Sequence, residues 1–355
     1  MSLLVFGSKL LRSASSPLRS PNSQERVLRD AKHNGEIKLH DFCINERTFS
    51  LVQILGGVFR TWHLKSHAGH PIRDACQLLS VSGKLLPVSG SDHAFAERLT
   101  PRFSSSFVCD TKASLQMGFC LEPWYGNFYH WLIWCAPRLL LLHRTLGISN
   151  FFFPVGAIHY PFIVQTMVLL GLNIDAITEV PVGFHPTQTL AAVQNLTPHP
   201  SFYSLIAKRA FASSPFGGEV SALQGYYLTR RHDVSNPREL FNEDLIMLIC
   251  QQHGIIPIDP ASLDLAEQIR QFSSVPLLVG IHGAALSNMV WMSKGSQVLE
   301  IMVGDAQHFR CLAGQVGHRW LGIPSESISS LGSPPRISVN PEIFKLALEM
   351  ALCQL

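Results

Sequence analysis

Val275-Pro276-Leu277-Leu278-Val279-Gly280-Ile281-His282-Gly283-Ala284-Ala285-Leu286-Ser287-Asn288 is an apolar run that drives into His-Gly and continues as helix-compatible sequence. A short apolar stretch of this kind reads as a parallel strand buried on both faces. His282 and Gly283 then stand where the strand ends and a helix begins. In an α/β sheet, backbone N–H groups and the positive end of a helix dipole meet an anion at that position. A strand-end glycine also serves packing alone, so the dipeptide decides little without its neighbours.

The neighbours repeat the pattern. Gly225-Tyr226-Tyr227-Leu228-Thr229-Arg230-Arg231 is an aromatic and apolar strand ending in two adjacent guanidinium groups, with Arg238 beyond it. Asn242 is placed to cap a helix, with Glu243 and Asp244 in its first turn. Leu245, Ile246, Leu248 and Ile249 form its buried stripe, and it ends near Gly254. Ile255 to Ile258 is a second strand leading to Asp259-Pro260, Leu263 to Phe272 a further helix, and Gln297 to Met302 a fourth strand. This alternation specifies a parallel, doubly wound sheet. It sets Arg230, Arg231, His282 and Glu300 on one rim, at or near strand carboxyl ends.

Composition narrows the class. With 46% hydrophobic and 15% charged residues the chain buries much of itself and is neither disordered nor a nucleic-acid coat. A formal net charge of +3 over 355 residues implies no polyanionic partner, so no nucleic acid is expected. That length suits two modest domains. Eight cysteines at 43, 76, 109, 120, 135, 250, 311 and 353 form no C-x-x-C pair, and Cys135, Cys250 and Cys311 lie in apolar segments. They read as buried thiols of a reducing, cytoplasmic compartment. The opening residues lack the basic start and apolar length of a signal peptide, and Pro137 and Arg138 interrupt the most apolar segment, Trp131 to Leu142. Residues 1–24 read as a loose tail, 25–202 as a first domain, 203–224 as a linker, 225–335 as a second, α/β domain and 336–355 as a terminal helix.

The block from Tyr226 to about Leu321, with Asn127-Phe128-Tyr129-His130-Trp131-Leu132 and Pro137-Arg138-Leu139, resembles glycosyltransferase family 61. Its elements are the Thr-Arg-Arg strand end, Asn242-Glu243, Asp259-Pro260 with Leu265-Ala266-Glu267-Gln268, Gly280-x-His282-Gly283-Ala284 with Asn288, Glu300, and Phe309 to Ala313. The resemblance implies an α/β, GT-B type fold: two Rossmann-like halves facing across a cleft, with a terminal helix that crosses back to the first. It implies an inverting hexosyl- or pentosyltransferase that moves a sugar from a nucleotide-sugar donor to a glycan acceptor, in cell-surface polysaccharide or capsule synthesis. A lipid-linked acceptor would hold it at the inner face of the membrane.

An inverting transfer requires a general base for the acceptor hydroxyl and stabilisation of the leaving diphosphate. The resemblance gives the base to His130, whose imidazole titrates near neutrality. A purely structural place in the aromatic cluster with Tyr129 and Trp131 is the other reading of the same residue. Asn127, Trp131 and Arg138 fall on the acceptor side. Many bacterial relatives carry an acid seven residues after the Asn, where this chain has Trp134, so a catalytically silent relative that binds nucleotide or glycan in an assembly complex is the alternative. Asp110 and Glu122 are candidates to replace that acid.

Donor binding falls to Arg230, Arg231, Arg238, Asn242, His282, Gly283, Ala284, Asn288 and Glu300. Guanidinium forks suit phosphate, but adjacent strand residues point apart, so one of Arg230 and Arg231 takes the diphosphate and the other pairs with an acid. His282, Gly283 and Ala284 offer backbone and imidazole donors, and Asn288 anchors the helix. Glu300 either accepts from ribose hydroxyls or pairs with a buried Arg. No cofactor and no metal are expected. His63, His67 and His70 lie beside sequence that reads as strand, and no Asp-x-Asp motif is present. The lack of a G-x-G-x-x-G after a strand argues against a nucleotide-cofactor oxidoreductase.

Overall fold

The computed structural model describes residues 37–44, 47–55, 58–65, 71–79, 117–119, 125–180, 183–186, 189–194, 198–213, 224–229, 239–328 and 336–355. Seventeen strands are defined among them. β1 (Ile37–Ile44), β2 (Arg47–Leu55), β3 (Val58–Lys65), β4 (Pro71–Leu79), β5 (Met117–Phe119), β6 (Phe151–Pro154), β7 (Ile177–Val180), β8 (Gly183–Pro186) and β9 (Thr189–Gln194) precede residue 200. β10 (Gly225–Leu228), β11 (Glu239–Leu240), β12 (Ile255–Ile258), β13 (Leu277–Ile281), β14 (Gln297–Met302), β15 (Arg319–Pro324), β16 (Glu326–Ser327) and β17 (Arg336–Ser338) follow it.

The later strands build the sheet that the opening motif specified. Its order is β12-β10-β13-β14-β15, and every pairing is parallel. The chain steps from β10 outward to β12, crosses back past β10 to β13, and then proceeds to the other edge. The direction of winding therefore reverses between β10 and β13, which makes their carboxyl ends the switch point of a doubly wound sheet. Strand alternation divides the side chains into two cores. Tyr226, Leu228, Leu278 and Val298 face one side, and Tyr227, Leu277, Val279, Leu299 and Ile301 face the other.

The first half is less regular than a Rossmann-like fold. Its six-stranded sheet, in order β1-β2-β9-β5-β6-β7, is antiparallel from β1 to β9 and parallel from β9 to β7. A separate antiparallel trio, β4-β3-β8, stands beside it. The large core cluster joins this half to the C-terminal sheet through the helices Pro161–Leu170 and Pro200–Ser213, which pack on the Leu265–Ser273 helix. A hydrogen bond also crosses here, from the Leu265 N–H to Gln165 Oε1 at 3.0 Å.

Three sequence expectations are corrected. Residues 203–213 are not linker: they belong to the Pro200–Ser213 helix, where Tyr203, Ile206 and Ala210 are buried. The segment 336–355 starts with β17 before the Pro341–Leu352 helix. The buried face of that helix, with Phe344, Ala347, Leu348 and Ala351, packs on β14, β15 and the Glu243–Gln252 helix of its own half, not on the first half. The tail 1–24 and residues 214–223 lie outside the described residues. Among the described residues no helix is long and apolar enough to cross a membrane.

Candidate functional site

A cleft of about 410 Å³ opens where the switch point meets the first half, a volume within the usual range for small-molecule sites. Its C-terminal wall comes from residues just beyond three strand ends: Thr229 after β10, Asp259 and Pro260 after β12, and Ala284 after β13. The opposite wall carries Asn127, Phe128, Phe162 and Gln165.

Asn127 and Phe128 are delivered by a continuous helical run from Phe128 to Leu146 that changes its winding. Phe128–His130 is α-helical, Trp131–Cys135 is a π-helical turn, and Ala136–Leu146 is α-helical again. Asn127 starts the run by accepting the Tyr129 N–H at 3.0 Å. The wide turn, closed by the Ala136 N–H on the Trp131 carbonyl, immediately precedes Pro137, which has no N–H to give.

That run separates the acceptor-side candidates. Asn127 lines the cleft. Trp131 does not: it is fully buried against Phe153 and Phe162, and its Nε1–H donates to Thr166 Oγ1 at 3.0 Å. Arg138 is likewise buried, with its guanidinium 6.0 Å from the Trp134 ring centroid. Neither is on a surface where an acceptor binds. Trp134 itself is half-buried, a packing residue where the resemblance gives an acid. His130 is half-buried and edge-on to Tyr129, whose ring also meets His308 and Phe309. These two rings in turn flank His282, with Phe309 at 5.0 Å and His308 at 6.0 Å. The His130 motif and the His282 motif thus share one aromatic cluster.

His282 is held from behind. Its Nδ1 lies 2.5 Å from Glu300 Oε1, and Trp320 Nε1–H donates to Glu300 Oε2 at 2.7 Å. A carboxylate only accepts, so Nδ1 carries the proton in this pair. Glu300 is fully buried, flanked by Gly280 on β13 and Gly322 on β15. A Cβ on Gly322 would collide with the Trp320 ring, so the glycine leaves the room that the indole occupies. The two Glu300 oxygens thus go to an imidazole and an indole, and among the described residues it pairs with no arginine.

Other candidates are also redirected. The His282 backbone N–H, expected to serve a ligand, is spent on the Ile301 carbonyl. Asn242 stands at its helix start but makes no side-chain cap; it donates to the Val339 carbonyl and accepts the Val339 N–H, tying that helix to the chain after β17. Asn288 anchors the Ala284–Trp291 segment, a 3-10 helix, through Ala285 and Trp291, and it borders the cleft with Ala284. Gly283 precedes that helix in extended conformation. Arg230, Arg231, Arg238, Asp110, Glu122, His67 and His70 lie outside the described residues. Among those described, no group of three His, Cys, Asp or Glu is placed to hold a metal ion. Cys135 and Cys250 are buried thiols in no disulfide, the latter pushed up to about 12 by burial, whereas Cys311 is exposed, contrary to its apolar sequence context.

Sequence reasoning gave no role to three neighbours of this site. Trp320 and Phe309 come from elements after the motif. Gln268 sits in the helix Leu265–Ser273 at an inward position of the stripe Leu265, Gln268, Ile269, Phe272. A polar residue at a core position of an amphipathic helix was the available signal.

Residues 128–299 match the family model described as Glycosyltransferase 61. The chain resembles that family. The matched span starts at Phe128 in the cleft wall and stops one residue short of Glu300, so it contains most of the cleft. The family match supports a glycosyltransferase, with donor and acceptor substrates. No curated protein matches the chain.

Proposed function

We propose that the protein is an inverting, metal-independent glycosyltransferase of the GT-B type, using a nucleotide-sugar donor and a glycan acceptor in cell-surface polysaccharide or capsule assembly. The observation that supports this reading is the cleft at the carboxyl ends of β10, β12 and β13, closed on its other side by Asn127 and Phe128. In this reading the domain 225–335 binds the donor and the domain before it binds the acceptor. The diphosphate lies at the β10 and β13 ends, where Arg230 or Arg231 follows Thr229 in sequence and the Ala284 helix begins. His130 takes the proton from the acceptor hydroxyl as its oxygen bonds to the anomeric carbon. The bond from that carbon to the diphosphate breaks with inversion, and the leaving charge is met by the guanidinium and by His282, oriented through Glu300. The protein acts at the cytoplasmic face of the membrane if its acceptor is lipid-linked.

The test is thermal stability of the purified protein against UDP, GDP, ADP, CDP and their sugar conjugates without added metal, because a ligand of the native state raises the melting temperature. A rise with one nucleotide, abolished by Arg231→Ala or Arg230→Ala, supports the donor site. No rise with any of them overturns it. Trp134, packed beside Arg138 where relatives carry an acid, favours a second reading: a silent relative that binds without turnover. Product formation that disappears in His130→Ala decides against this second reading, and nucleotide binding without product decides for it.

A further inference from the structure

The Pro341–Leu352 helix carries two apolar stripes. Phe344, Ala347, Leu348 and Ala351 form the buried one, against β14 and β15. Ile343, Leu346 and Met350 form the other, and they are 51%, 58% and 48% exposed. Single exposed apolar residues are common on a protein surface, but three aligned on one helix face are a patch. At about 100° per residue this stripe stands on one flank of the buried line, and Lys345 and Glu349 stand on the other. On that other flank Glu349 Oε1 lies 3.6 Å from His253 Nε2, at the end of the Glu243–Gln252 helix. The exposed stripe therefore faces away from its neighbouring helix. Since the Pro341–Leu352 helix overlies β14 and β15, and β15 ends the sheet order, the stripe looks past the sheet edge. Among the described residues no strand pairs with the outer side of β15, where Trp320, Leu321 and Gly322 are half-buried.

We propose that this edge is the interface of a homodimer, in which the Pro341–Leu352 helix packs antiparallel on the same helix of a second copy. The spacing 343, 346, 350 is the i, i+3, i+7 pattern of one helix–helix seam. It is also self-complementary, as a two-fold interface must be. An antiparallel pair centred beside Leu346 sets Leu346 against the partner's Leu346 and Ile343 against the partner's Met350. The same register brings Lys345 to the partner's Glu349. Within one copy these two exposed side chains form only a long pair, at 4.0 Å, so both remain available across the axis. The three apolar side chains expose roughly 300 Å², less than the about 800 Å² that each partner of a stable dimer buries. The half-buried edge of β15 beside them continues the surface. A lipid bilayer is a poorer occupant: exposed Glu342 and Glu349 outnumber Lys345 beside the stripe, and an anionic membrane repels that excess. The interface stands apart from the cleft and does not depend on the donor and acceptor reading.

Sedimentation velocity of the full chain across the micromolar range tests it. The wild type sediments as a dimer, and Leu346→Glu, which places two carboxylates at the axis, raises the dimer Kd at least about tenfold. Leu248→Glu, at a residue 50% exposed on the Glu243–Gln252 helix, leaves the Kd within about twofold of the wild type. Circular dichroism checks that each variant folds. Should Leu346→Glu not fold, the wild type still decides. In an equal mixture of isotope-light and isotope-heavy chains, a carbodiimide joins Lys345 of one to the partner's Glu349, and peptides of mixed label report it. A monomer at every concentration overturns the inference, as does a dimer that is unaffected by Leu346→Glu and gives no mixed-label link. A monomer that pellets with phosphatidylcholine–phosphatidylglycerol vesicles, and no longer does so as Leu346→Glu, also overturns it and gives the stripe to a lipid surface.

Discussion

On the C-terminal side of the cleft, side chains arrive at the ends of parallel strands; on the N-terminal side they arrive on a helix that changes its winding at Trp131–Cys135. Parallel strands in register bring Thr229, Asp259 and Ala284 to one rim whatever lies between them in sequence. The helix has no such constraint. Of the residues grouped there by sequence, Asn127 and Phe128 reach the cleft, whereas Trp131 and Arg138 are drawn into the core. The comparison teaches that a motif on strand ends locates a site, and a motif on a helix locates only a neighbourhood.

The largest effect that can break this comparison lies on the helix. Trp131→Ala is expected to cost about 3–5 kcal/mol in a denaturant titration, because it empties a fully buried site and removes the donor to Thr166 Oγ1. Nucleotide affinity of the folded fraction stays as in the wild type; a loss of affinity at unchanged stability would return Trp131 to the cleft.

Glu300→Leu comes next, at about 2–4 kcal/mol, since it leaves the buried His282 and half-buried Trp320 donors without their shared acceptor. Trp320→Phe removes one of those donors and should cost only about 1 kcal/mol beyond its lost packing. If both variants keep full transfer activity, Glu300 orients nothing that matters to the reaction.

Asn127→Ala is expected to cost about 1 kcal/mol through the lost cap, with the loss read from unfolding curves. Stability unchanged by this substitution would detach Asn127 from the helix start and leave it as a cleft residue alone.

The smallest effect is a pH dependence behind the cleft. His318 is buried, with Nε2–H on the Met289 carbonyl at 2.8 Å, and burial holds its imidazole below the ordinary value. The unfolded chain therefore binds the extra proton first. The contribution of His318 to stability is complete above about pH 6.5 and is lost as pH falls through the lower folded value. Melting temperatures from pH 8 down to 5 should fall less steeply in His318→Gln than in the wild type, and parallel curves would show that other groups set the slope.

How much was legible follows from the same geometry. The stretch Val275 to Asn288 reads as a strand running into a helical segment beside a crevice, and the structure agrees except that the strand runs Leu277–Ile281, two residues later than Val275–Val279, because continuous apolar sequence and glycine report on local conformation but not on exact bounds. The strand-end candidates were misread in role where a partner came from afar. Glu300 was expected at ribose or arginine, and its partners His282 and Trp320 lie 18 and 20 residues away. Asn242 was expected at its own helix, and it binds Val339, 97 residues on. The linker failed for a different reason: residues 203–213 are a helix whose Tyr203, Ile206 and Ala210 gain their worth only by burial against other elements.

The sequence by itself determined that the C-terminal portion is a doubly wound α/β sheet and that His282 stands at a strand end beside a crevice. Both follow from apolar runs, caps and glycines, whose effects act over a few residues. Only the tertiary structure decided which candidate side chains face the cleft, which serve as braces and which are core. It turned Glu300 towards His282, buried Trp131 and Arg138, and set Gln268 in the cleft wall with its amide held by the Pro260 and Leu263 carbonyls. Those outcomes depend on partners that meet through packing of distant segments, and no local pattern encodes which partner will be there.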